Sequence, residues 1–280
     1  MKIVLGRDDL AAAALEAAGA AERLDIRPVH KASRGFVNDG TADVCELAIV
    51  TLLQAVAYDK PVALLPITAL GRHQHQTLVT LAEPGVDAVR GKTVGVRSWS
   101  QTTGVWLRGF LTDDYGLDLS EVDWITYEDG HLPEYTDPAW TKRAPEGTKL
   151  PADFLDGKLD YGIMGNELPS DDRIRTAVPD ALRVAAEWAE SKGFAPINHV
   201  VAINPAADAK AVLAVYDALA AQVRNGPAEL NPVGFEALRG PVTEVARYAL
   251  EQQVLPRAVS FDELVDRTCA ALGVSASRLA

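Results

Sequence analysis

Gly91-Lys92-Thr93-Val94-Gly95-Val96, followed across Arg97-Ser98-Trp99-Ser100-Gln101 by Thr102-Thr103-Gly104-Val105-Trp106-Leu107-Arg108-Gly109-Phe110-Leu111, decides how this chain folds. The first run reads as a strand. The second carries Val105, Trp106, Phe110 and Leu111 at helical spacing, which predicts a helix over residues 102–115. Strand, short polar turn and amphipathic helix form the repeating unit of α/β folds with a largely parallel sheet.

The same rhythm extends in both directions. Toward the N-terminus, residues 2–5 read as a strand, 10–24 as an Ala-rich helix, and 25–30, 43–47 and 62–66 as further strands. Toward the C-terminus, strands are expected at 122–127, within 157–165 and at 200–203. Helices are expected at 151–155, 179–192, 208–223, 241–253 and 261–272. Two α/β units with a helical tail predict an α/β two-lobed fold. Lobe one would comprise residues 1–92 and 198–280, lobe two residues 93–197, with a ligand cleft between them. In such folds ligands bind beyond the carboxyl ends of strands, so function is sought there.

Composition narrows the partners. The 280 residues carry 27 Lys+Arg against 39 Asp+Glu, a formal charge of −12 with no basic patch, so neither nucleic acid nor an anionic membrane surface is an expected partner. Cys45 and Cys269 form neither a disulfide framework nor a metal-type pair. Lys2, Arg7, Asp8 and Asp9 place charge where a secretory signal needs an apolar core, and Glu16 and Gly19 interrupt the alanine stretch. The expected location is cytoplasmic.

The positions at and just after strand ends are rich in Arg, His, hydroxyl and carboxylate groups: Arg7, Glu46 at the end of the third strand, Arg72-His73, Ser98 to Gly104, Asn166, and His199 at the start of the return strand. Gln101, Thr102 and Thr103 open a helix, where hydroxyls and free amides favour an anion; plain N-capping explains the same residues. Arg108 is placed to add a bidentate contact to a carboxylate. Trp99 and Trp106 either wall an aromatic ligand or belong to the core. His73 and His75 are a His-x-His pair, but zinc wants three or four ligands and no third is spaced to join them, so no metal site is expected. Proton transfer by a histidine is the easier chemistry, with His75 read as a hydrogen-bonded strand residue. Cys45 has no evident base, so Cys45 is assigned to the core and its neighbour Glu46 to the cleft. There is no Walker loop, no GxGxxG after a strand and no GxSxG.

Several blocks together resemble the 4,5-dihydroxyphthalate decarboxylase-like family. They are Ala42-Asp43-Val44-Cys45-Glu46-Leu47-Ala48, Leu65-Pro66-Ile67 with Gly71-Arg72-His73, and Gly91 through Val96. Further on come Thr102-Thr103-Gly104-Val105-Trp106-Leu107-Arg108-Gly109, Leu155-Asp156-Gly157-Lys158-Leu159-Asp160 and Phe194-Ala195-Pro196-Ile197-Asn198-His199-Val200-Val201. The resemblance implies a type II periplasmic-binding-protein fold turned to cytoplasmic catalysis, removing one carboxylate from a dihydroxylated aromatic ortho-diacid. On that reading a cofactor-free, metal-independent reaction uses Arg72, Thr102, Thr103 and Arg108 on the carboxylate, and His73 or His199 as the acid. Glu46 orients a histidine or accepts a phenolic proton, and Arg7, Gln101, Trp106 and Asn166 complete the substrate contacts. The partner is then a small aromatic or organic acid, with homo-oligomerisation left open. Two other readings stay open: a transporter's solute-binding receptor for a small organic anion, and an aromatic sulfinate desulfinase sharing a turn like Gly71-Arg72.

Overall fold

Short apolar strands build two separate sheets in the computed structural model, which describes residues 1–83, 85–224 and 230–280. The chain divides into two compact units. The first comprises Met1–Arg72, Phe194–Leu250 and Leu255–Ala280, the second His73–Gly193 and Glu251–Val254. The first crossing therefore falls at Arg72–His73, ahead of the expected 92/93, because residues 78–80 pair in the second sheet.

In chain order the first unit opens with β1 (Lys2–Val4), α1 (Asp8–Ala18), β2 (Glu22–Arg23), α2 (Ser33–Asp39), β3 (Val44–Ala48), α3 (Ile49–Ala57) and β4 (Ala63–Gly71). The second unit carries β5 (Leu78–Thr80), β6 (Thr93–Val96), α4 (Thr102–Asp113), β7 (Asp123–Thr126), β8 (Lys142–Arg143), α5 (Leu150–Leu155), β9 (Tyr161–Ile163), β10 (Arg175–Thr176) and α6 (Ala181–Lys192). The chain then returns through β11 (Ile197–Ile203), α7 (Ala209–Arg224), α8 (Phe235–Glu251) and α9 (Phe261–Leu272).

The first sheet runs β2-β1-β3-β11-β4. Its β1, β2 and β3 are mutually parallel, and β11 is antiparallel to both β3 and β4. It is thus mixed, where the β-α rhythm suggested a largely parallel sheet. The returning strand inserts between β3 and β4, so all seven β11 residues are buried except His199, which is partly exposed. Helix α3 is buried at every position, which its apolar run Ile49-Val50-Thr51-Leu52-Leu53, broken only by Thr51, anticipates.

The second sheet runs β10-β5-β9-β6-β7-β8. Gly95 in β6 has no side chain because a Cβ there would lie 2.5 Å from both Leu150 and Leu159, so the sheet approaches α5 closely. Phe154, Leu150, Leu159, Val79 and Met164 pack as one apolar cluster there.

Local chemistry explains where the expected boundaries moved. Helix α1 stops at Ala18 because Gly19 takes φ +69 and ends it, short of residue 24. The strand expected at 25–30 does not form: Pro28 lacks an amide for the ladder, and Val29–Ala32 make a 3-10 turn. Pro66 lies inside β4, not at its end. This is the outermost strand, and its pairing with β11 slips from Leu65 to Thr68 there, so no ladder bond is demanded of the proline. Helix α8 begins at Phe235, with Pro241 inside it, beside a Gly240 whose Cβ would meet Phe194 at 2.7 Å.

Candidate functional site

The register of the first sheet makes the site. In β11, Val201 faces Glu46 of β3 and His199 faces Ala48. His199 is therefore the diagonal neighbour of Glu46 on the same side of the sheet, within reach of long side chains. The two meet: His199 Nδ1 lies 2.7 Å from Glu46 Oε1. The other carboxylate oxygen, Oε2, accepts the backbone N–H of Gly6 at 2.8 Å, from the loop that leaves the parallel strand β1. A Cβ on Gly6 would stand 3.1 Å from that oxygen and 3.3 Å from Val29 Cβ, so only glycine lets the backbone come this close without a shift.

Glu46 is 5% exposed, so it does not project freely; both its oxygens are committed inside the unit. Burial alone pushes its pKa up. The His199 hydrogen bond and charge, the Gly6 amide and the Arg7 charge outweigh burial and hold it below the ordinary glutamate value. A carboxylate fixed on Nδ1 sets the imidazole tautomer and leaves Nε2 to exchange a proton. The His199 side chain is 19% accessible, enough for a small molecule to reach. Arg7 is itself held by Asp9, with Nη2 2.5 Å from Oδ2. Cys45, next to Glu46 but on the opposite face, is fully buried with its thiol pushed far up by burial.

The remaining residues scatter, and two of them change role. In the second unit Gln101 occupies the N-cap position of α4 and donates from Nε2 to Glu167 Oε1 at 3.2 Å. Thr102 and Thr103 are buried at the helix start. Trp106, expected to touch substrate, is instead fully buried, packed with Phe110 and edge-on to Trp188. Its spacing is that of a core face. Arg108, expected to clamp a carboxylate, is likewise fully buried, bonded through Nε to Gln252 Oε1 at 2.8 Å and through Nη2 to the Trp99 carbonyl at 2.5 Å. It cannot contact a ligand directly. Trp99 is core as well.

Asn166 sits on an exposed turn. Arg72 ends the first unit's chain segment and donates its backbone N–H to Pro196 at 3.1 Å. His73 opens the second unit, and its Nδ1 is buried without a hydrogen bond among the described residues. His75 is not a strand residue: it lies in a 3-10 turn, stacked on Phe110 at 4.3 Å and 7°. Burial and the neighbouring His73 charge pull its pKa down to about 4, so it is a neutral core ring. Among the described residues no three His, Cys, Asp or Glu side chains converge as a metal site would need. No helix among them is long and apolar enough to cross a membrane.

The site also depends on Gly6, and the second unit on Gln252, neither of which carries a chemical motif in the sequence. A glycine directly after a strand signals close approach of something, and Leu5-Gly6-Arg7 carries that signal. Nothing local marks Gln252, whose partners are 144 to 153 residues away.

Two units, each an α/β layer on its own sheet, define the class: a type II periplasmic-binding-protein fold. The alkanesulfonate-binding protein SsuA from Xanthomonas axonopodis pv. citri, bound to MOPS, shares it. The TM-score is 0.53 at 12% identity over 94% of this chain and 96% of that one, a likeness of fold alone. No protein-family model matches the chain. Over 181 residues, 58% of this chain and 54% of the other, it is 28% identical to the 4,5-dihydroxyphthalate decarboxylase of Comamonas testosteroni. Over 139 residues, 46% and 54%, it is also 28% identical to the Pseudomonas putida protein of the same name. The chain spans about half the length of the curated relatives it matches. Over about half of its length the chain is thus similar to proteins named 4,5-dihydroxyphthalate decarboxylase.

Proposed function

We propose that this protein is a decarboxylase of a hydroxylated aromatic acid, with His199 as proton donor and Glu46 as its orienting carboxylate. The single observation that carries this is the hydrogen-bonded chain Gly6–Glu46–His199, a buried ionised carboxylate fixing an accessible imidazole. Loss of CO₂ from a ring begins with a proton added to the ipso carbon. A phenolic hydroxyl ortho or para to it spreads the resulting positive charge. The bond from the ring to the carboxylate carbon then breaks, its electron pair restores the aromatic ring, and CO₂ departs.

An imidazolium whose Nδ1–H is held by Glu46 presents Nε2–H to the ring carbon and becomes neutral imidazole, which recovers its proton from solvent. His199 is preferred to His73 because a carboxylate holds its ring, while His73 Nδ1 is buried without a hydrogen bond among the described residues. The substrate's anionic group is assigned to Arg72, which lies in the same unit as His199 and Glu46. Relatives named for 4,5-dihydroxyphthalate support a dihydroxylated benzene dicarboxylate as the substrate class. No metal has a part in this scheme.

Purified protein incubated with 4,5-dihydroxyphthalate and a panel of mono- and dihydroxybenzoates should release CO₂ from at least one of them. A ligand that binds and is recovered unchanged would make the protein a solute receptor. Sulfite released from an aryl sulfinate would keep the acid and change the leaving group.

A further inference from the structure

At the C-terminal end of α4, wholly within the second unit, lies a pocket of about 540 Å³, inside the size range of small-molecule sites. Two glycines keep it open. Gly109 in α4 and Gly116 in the turn after it bring no side chains, and a Cβ on Gly116 would meet no atom within 4 Å. Trp140 forms a wall beside Leu119. Its ring is 38% exposed, whereas Trp99, Trp106 and Trp124 are fully buried, so Trp140 alone among these four offers an indole face to a ligand. An edge-on contact with Trp99, ring centres 6.4 Å apart at 81°, fixes the wall against the unit.

The charge of the pocket has one sign. Its lining carries two carboxylates, Asp118 and Glu251, and no cation. The Ser120 amide and hydroxyl each donate to Asp118 Oδ1 at 2.8 Å and hold that carboxyl below the ordinary aspartate value, so it is ionised at neutral pH. Helix α4 ends at Asp113 and α8 ends at Glu251, and neither has a basic residue in its last turn to offset the negative pole of the helix. Arg90 reaches the Tyr115 and Gly116 carbonyls, but it is paired with Glu121 and does not line the pocket.

We propose that this pocket is a second ligand site, for a small organic cation with an apolar body, its ammonium group toward Asp118 and Glu251 and its body on the Trp140 ring. An exposed indole attracts a cation through its negative ring face, and two carboxylates with two helix ends add to the same field. The chain's formal charge of −12 works in the same direction. A carboxylate ligand would meet like charge here, so the pocket does not take the aromatic acid assigned to the first unit. None of its residues belongs to the Gly6–Glu46–His199 group, and the proposal stands independently of the decarboxylase reading.

Calorimetry on the full chain tests it, with benzyltrimethylammonium and its neutral counterpart benzyl alcohol as probes. The account expects saturable binding of the cation, about tenfold or more tighter than the alcohol, and weakening as salt is raised. Phenylacetate should not displace it. Trp140→Ala should lower cation affinity about fivefold or more, Trp140→Phe should keep most of it, and Glu251→Gln should also weaken it. Trp140 and Glu251 are both exposed, and matched circular dichroism confirms that the variants fold. Absence of saturable binding would overturn the proposal, as would alcohol binding as tight as the cation's or unchanged affinity in a folded Trp140→Ala protein. The wild-type comparison of the two probes needs no variant. CO₂ is read in no arm, so a protein that binds the cation without turnover loses the decarboxylase reading and keeps this one.

Discussion

Glu46 and His199 stand diagonally across the β3–β11 ladder, and their side chains close to 2.7 Å on one face of the sheet. A third strand end, through the Gly6 amide, takes the second carboxylate oxygen. Three neighbouring strands thus hold one acid–base pair in place.

Removing the pair's charge changes acid stability in a defined direction. Glu46 has a folded pKa below its ordinary 4.5, so its stabilising contribution is full above about pH 4.5 and is lost as pH falls through the lower folded value. Glu46→Gln should flatten that part of the acid limb. Urea midpoints at pH 7 and pH 3 read it, and parallel curves for the two proteins would contradict the arrangement.

Gly6→Ala tests the amide contact. Its Cβ would crowd Glu46 Oε2 and Val29. Stability should drop by about 1 kcal/mol, while kcat falls further, about tenfold, because the orientation of the acid depends on this contact. A variant that loses stability and keeps kcat would remove Gly6 from the site.

His75 supplies a second pH signature. Its ring is buried and neutral with a pKa near 4, while in the unfolded chain it titrates near 6.5. The unfolded state binds the proton first, so stability falls as pH drops from about 6.5 toward 4, by about 2 kcal/mol between pH 7 and pH 5. His75→Phe, which preserves stacking on Phe110, should remove that loss. An unchanged pH 7 to pH 5 difference in urea stability would show that the ring is already protonated or exposed.

The two thiols should separate cleanly. Cys45 is fully buried and Cys269 partly exposed. Iodoacetamide should therefore modify Cys269 in the native protein and reach Cys45 only after unfolding. Mass spectrometry after partial labelling decides it; early modification of Cys45 would mean the Glu46 strand opens readily.

Much of this was legible in the sequence, and the rest was hidden for specific reasons. The Val94-Gly95-Val96 strand, the helix after it and the two α/β units follow from local pattern. Glu46 and His199, expected at the end of one strand and the start of another, instead sit inside β3 and β11. That Glu46 and His199 meet depends on register between strands 153 residues apart, and no local pattern carries register. Arg108 is charged, so it reads as a surface clamp although Val105 and Leu111 lie three residues to either side; Gln252, the Trp99 carbonyl and the Trp99 ring make its burial tolerable. The two-residue strands β2, β8 and β10 owe their existence to neighbours already in the sheet, and their own residues carry no strand signal.

The most direct test of the central claim is turnover of 4,5-dihydroxyphthalate in D₂O by the wild type, His199→Asn and Glu46→Gln. The account predicts that the wild type releases CO₂ and leaves deuterium on the carbon that bore it. His199→Asn should lower kcat by about 10²–10⁴-fold with KM little changed, and Glu46→Gln should show a smaller loss of the same kind. Undiminished turnover by His199→Asn would contradict it, because the proton would then come from elsewhere.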